Sequence, residues 1–84
     1  MWTDANAREL GATLRRLRHA KGLSQEALAH RAGITKNQLQ LLEAGRSSGR
    51  KAETGPSNPR MTTLSGLASV LDVPISQILV ESNL

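Results

Sequence analysis

The sequence has no cysteine, no phenylalanine and no tyrosine, and Trp2 is its only aromatic residue. Without cysteine there is neither a disulfide scaffold nor a thiolate metal site. Without a set of aromatic rings there is no stacking platform for single-stranded nucleic acid. No stretch reaches the ~18 consecutive apolar residues of a membrane span. Asp4, Arg8 and Glu9 fall where a signal peptide needs an apolar run. These features lead us to expect a cytoplasmic protein with no membrane contact. His19 and His30 are the only histidines, and no HExxH pattern surrounds them, so no metal site is expected. Ser47, Ser48 and Ser57 have no general base in a recognisable arrangement, and no phosphate-cradling glycine fingerprint follows a strand. The expectation is therefore that the protein is not an enzyme, takes no cofactor and has no evident small-molecule effector.

What remains is a short basic chain. Its 84 residues carry a formal charge of +4. That length allows one small domain, read here as residues 1–84, which buries only about 60% of the surface its unfolded chain exposes. The charge is uneven. Residues 1–52 hold ten basic residues against four acidic ones, a net of +6, and residues 53–84 have a net of −2. Such a split suggests a face for a polyanion and a separate face for structure or a partner.

Periodicity predicts five helices and no strand. Leu10, Leu14, Leu17 and the stem of Lys21 fall on one face of a first helix over 5–21, capped by Thr3 or Asp4 and stopped by Gly22. Ser24 caps a second, short helix in which Leu28, Ala29 and Ala32 point inward and which Gly33 ends. Thr35 caps a third, from Lys36 to about Ala44, with Leu39 and Leu42 as its core pair and Gly45 beyond. Residues 46–60 read as a loop, with two glycines, two prolines, three serines and four basic residues against one glutamate. Thr62 or Thr63 is the expected cap of a fourth helix, in which Leu64, Leu67, Ala68 and Leu71 form a stripe. Val73-Pro74 breaks the pattern, and a fifth helix follows from Pro74 or Ile75 to about Ser82. Trp2 is expected to pack on the first or fifth helix.

The chemistry lies between Gln25 and Ala44. Two short helices joined by a tight turn leave Lys36, Asn37, Gln40 and Leu41 off the core face. Asn and Gln pair bidentately with adenine, Lys with guanine, and Leu touches a thymine methyl. Leu41 reads equally well as a third core leucine. Gly22-Leu23-Ser24-Gln25, Leu28-Ala29, Ala32-Gly33-Ile34, Leu39 and Leu42-Glu43-Ala44-Gly45 follow one another in an order that resembles the helix-turn-helix of the Cro/C1-type repressors, the XRE family. Thr63-Leu64-Ser65-Gly66-Leu67-Ala68 with Leu71-Asp72-Val73 is similar to the fourth helix of that family. The likeness covers residues 9–80 apart from the 46–60 loop, which is about ten residues longer than is usual there. Leu41 also stands where the family more often has a polar residue.

The resemblance implies an all-α, five-helix bundle of the lambda-repressor-like type, with the helix-turn-helix at its second and third helices. It implies a transcriptional regulator, repressor or activator, that binds double-stranded DNA. Thr35, Lys36, Asn37, Gln38 and Leu41 match DNA-contacting positions. Gln25 matches a residue that holds a phosphate and braces the recognition helix. Arg18 and Glu43 match a structural salt bridge. From the residues themselves we add Gln40 as a base contact and Arg46, Arg50 and Lys51, with Arg60 beside them, as phosphate contacts along the loop. Ile75, Val80 and Leu84 are expected to form the interface of a homodimer, with residues 61–84 as its face. A protein-interaction module of the same fold, such as an antitoxin, is the alternative.

Overall fold

The computed structural model describes residues 2–46 and 58–84. Five helices follow in order: α1 (Asp4–Ala20), α2 (Gln25–Ala32), α3 (Lys36–Glu43), α4 (Met61–Leu71) and α5 (Ile75–Glu81). No strand occurs among the described residues, and the fold is the expected all-α bundle.

Local chemistry sets the starts of the first three helices. The Thr3 hydroxyl accepts the Asn6 amide at 3.1 Å, and the Asn6 side chain accepts the Thr3 amide in return. Ser24 Oγ accepts from Ala27 at 3.0 Å. Thr35 and Gln38 repeat the reciprocal arrangement at α3, at 3.0 and 2.8 Å. Each such cap satisfies amides that no carbonyl inside the helix reaches. Between α2 and α3, Gly33 takes the left-handed conformation at φ 78°, which makes the turn tight.

The later elements depart from expectation. Neither Thr62 nor Thr63 caps α4. Its N-cap is Arg60, directly after Pro59, and no side chain caps it. The two threonines fall in the first turn instead, so the helix begins earlier than the nearest good capping residue. The helix ends at Asp72, which adopts φ 64°, one step before the Val73-Pro74 break. Lys21 does not point inward. The first helix stops at Ala20, Lys21 becomes its exposed C-cap, and its ammonium sits 3.6 Å from Asp72. The chain turns by 97° between α4 and α5.

Every helix feeds the core. Leu10 and Leu14, Leu28 and Ala29, Leu39 and Leu42, the Leu64-Leu67-Ala68-Leu71 stripe and Ile78 form one buried cluster. Trp2, Leu17, Ile34 and Ile75 pack on its margin. Two polar groups tie the short α5 back to α1. Thr13 donates its hydroxyl to the Glu81 carbonyl at 3.3 Å, and Arg16 meets the Glu81 carboxylate at 2.6 Å. Arg16, and the Gln77 amide beside it, hold the Glu81 carboxyl below the ordinary glutamate range.

Two measurements follow. At Gly11 a Cβ would lie 2.5 Å from the Glu43 carbonyl oxygen and 2.6 Å from that of Leu42. Gly11→Ala should therefore lower the melting temperature, although the same change in an open helix stabilises by about 1 kcal/mol. A depressed glutamate pKa contributes stability above the unfolded value, lost as pH falls through the folded one. The stability difference between the parent and Glu81→Gln should be constant at neutral pH and shrink below about pH 4.3, the ordinary glutamate value. Urea titrations at several pH values check this.

Candidate nucleic-acid interface

The third helix is held by its inner face and its last turn. Leu39 and Leu42 are buried, and Lys36, Asn37, Gln38 and Gln40 are exposed on the other sides, with Thr35 exposed at the cap. The last turn is fixed by a buried ion pair. Arg18 Nε lies 2.7 Å from Glu43 Oε2, and Arg18 Nη2 lies 3.0 Å from Glu43 Oε1. The two side chains are only 9% and 4% exposed. Arg18 also donates from Nη1 to the Leu23 carbonyl at 2.9 Å, which ties the α1–α2 turn into the same cluster. Gln25, at the first position of α2, donates from Nε2 to Glu43 Oε1 at 3.0 Å. One carboxylate thus gathers α1, α2 and α3. The bidentate fork and the added amide satisfy its lone pairs, as burial of a charge demands.

This bracing leaves a set of outward groups. Lys36 and Asn37 begin α3 with exposed side chains that bond to no described residue, and Gln40 follows one turn later. Gln38 spends its amide oxygen on the Thr35 N–H, so its NH2 is the group left to face outward. Leu41 is half-buried. It lines a hollow with Ile34, Arg46, Pro59 and Arg60, between the end of α3 and the start of α4. It is therefore neither a full core leucine nor a fully exposed one. Arg46 is exposed and its amide donates to the Leu41 carbonyl at 2.8 Å. Arg50 and Lys51 lie outside the described residues. Val80 and Leu84 are exposed by 73% and 43%, whereas Ile75 is half-buried against the protein's own core. Among the described residues no group of acidic residues and histidines is placed to hold a metal ion.

Residues that sequence reasoning passed over also shape this site. Gly11 lets α1 approach the backbone of α3, and only its isolation inside an apolar helical stripe hinted at it. The capping role of Gln38 was readable in the Thr-x-x-Gln spacing of residues 35–38.

A family model described as a helix-turn-helix domain matches residues 9–79. The chain belongs to this family, and within it to the Cro/C1 (XRE) type of DNA-binding transcriptional regulator. The restriction-modification controller protein C.AhdI from Aeromonas hydrophila is 31% identical, with a TM-score of 0.73 over 88% of this chain and 97% of its own. SinR from Bacillus subtilis, a master regulator for biofilm formation, is 30% identical in its crystal structure with DNA, with a TM-score of 0.66 over 83% of this chain and 97% of its own. The clp gene regulator ClgR from Corynebacterium glutamicum shares the fold at a TM-score of 0.78, with 24% identity over 93% of this chain and 72% of its own. No curated protein sequence matches. Fold and family are those of DNA-binding regulators and not of enzymes.

The helix-turn-helix brace can be tested directly. Glu43→Gln leaves the Arg18 guanidinium buried without its counter-charge, a change that costs about 3–5 kcal/mol in comparable pairs. In a domain of this size each kcal/mol moves the melting temperature by about 4–8 °C. Thermal unfolding of Glu43→Gln should therefore show a fall of more than about 12 °C. The double variant Arg18→Met/Glu43→Leu should recover much of it, because no charge is then left buried.

Proposed function

We propose that the protein is a sequence-specific regulator that binds duplex DNA by placing α3 in the major groove. The observation that carries this reading is the division of α3 into two faces. Leu39, Leu42 and the Glu43 brace hold one face rigidly, and Lys36, Asn37 and Gln40 stand exposed on the other. A rigid helix with amide and ammonium groups on its outer face suits the donor and acceptor pattern of base edges. Lys36 and Asn37 act as the principal base readers, with Thr35, Gln38, Gln40 and Leu41 around them. Gln25 and Arg46 set the register on phosphates, and Arg50 and Lys51 extend that contact along the loop. SinR, similar over most of this chain, was crystallised with DNA, which supports the reading.

The regulator works as a homodimer in this proposal. Val80 and Leu84 supply the apolar contact, and Ile75 stands at its edge. Two recognition helices would then lie about 34 Å apart and read a palindrome, one helical turn between half-sites.

Selection of bound duplexes from a random library tests both parts. A palindromic consensus is the expected result; recovery without a consensus, with affinity lost steeply in salt, would favour a protein-binding role. Asn37→Ala should relax the preference at one or two base positions per half-site by about 1–3 kcal/mol and leave the salt dependence nearly unchanged. An equal loss on all sequences would make Asn37 a positioning residue.

A further inference from the structure

The cluster that braces α3 has no charge to spare. Glu43 cancels Arg18, and the Gln25 amide nitrogen is already committed to Glu43 Oε1. A phosphate at the start of α2 would find hydrogen-bonding groups there but no free cation among these three. The same three residues border an open hollow where α1, α2 and α3 meet, and its remaining walls are Arg15, Gln40 and Ala44. Arg15 precedes Arg18 by three residues and so shares its face of α1. It is exposed, and it makes no hydrogen bond or ion pair with any described residue. Its neighbour Arg16 is occupied by Glu81 at 2.6 Å. Ala44 contributes no polar side chain, and Gln40 presents an exposed amide.

We propose that this hollow is the subsite for one DNA backbone phosphate in each half-site, with Arg15 as the cation that holds it. The proposal rests on the duplex-DNA reading above and names a residue that reading did not include. A guanidinium fork matches two phosphate oxygens at once, and here it stands beside the exposed face of α3, where a strand followed from Gln25 would run. Charge neutralisation at one phosphate releases about 0.9 counterion and carries no base information. The contact should therefore strengthen binding to every duplex alike.

Parent, Arg15→Gln, Arg15→Lys and Arg16→Gln proteins are titrated with a selected operator and with a random-sequence duplex, from about 50 to about 200 mM salt. Circular dichroism melts establish that the exposed substitutions leave the fold intact. Arg15→Gln should weaken both duplexes by a similar factor and lower the slope of log affinity against log salt by about one. Arg15→Lys should restore the slope, and Arg16→Gln should leave it at the parent value. A single methylphosphonate at the contacted phosphate should weaken the parent and leave Arg15→Gln unaffected. An unchanged slope in Arg15→Gln overturns the subsite while the duplex-DNA reading stands, and so does a loss confined to the operator, which would make Arg15 a base reader. A parent protein that binds no duplex at all overturns the broader reading and the subsite with it.

Discussion

The Arg18–Glu43 pair is the constraint on which the rest of the molecule depends. An ion pair buried in a bundle this small is an expensive choice, since apolar residues of similar volume are often as stabilising. What the pair adds is direction. A leucine packs in several rotations about a helix axis, whereas a fork meeting a carboxylate through two bonds permits one. Leu23 and Gln25 join the same cluster, so the turn before α2 and the first residue of α2 are aligned with the last turn of α3. The angle between the two helices of the motif is thereby set by polar geometry as well as by the burial of Ala29 and Leu39 in the common core.

That arrangement requires α1 to lie close against the end of α3, and Gly11 permits it. The glycine weakens α1 as an isolated helix. It also removes the side chain that would hold the Leu42 and Glu43 carbonyls away, and the Arg18 fork reaches its partner as a result. A local loss of helix propensity thus serves a tertiary contact two turns further along the same helix.

Much of this was legible in the residues. Thr3, Ser24 and Thr35 are good caps whose neighbours cap back or continue as helix, and Leu10, Leu14, Leu28, Leu39, Leu42 and Leu64 recur at helical spacing, so the order of the elements and their inward faces followed. The start of α4 is offset because Thr62 and Thr63 look like caps, whereas the helix already begins at Met61 with Arg60 as its N-cap and no side-chain cap bond. Lys21 was misassigned because one residue of difference at a helix end moves a side chain from the inner face to solvent. The bracing of α3 by Gln25 was implied by the family resemblance, whereas the position of Leu41 at the rim of a hollow against Pro59 and Arg60 depends on which elements meet across space. Periodicity along one helix carries no such information.

The absence of aromatic residues has one more consequence. Trp2 is the sole strong fluorophore, and it lies at the margin of the core ahead of α1, outside the helix-turn-helix. Its emission therefore senses the docking of the amino-terminal end of the chain, while far-ultraviolet ellipticity senses all five helices together. The two signals coincide on unfolding only if the ends and the motif melt as one unit. In this molecule a disagreement between two routine optical probes would by itself separate undocking of the segment ahead of α1 from loss of the helical bundle as a whole.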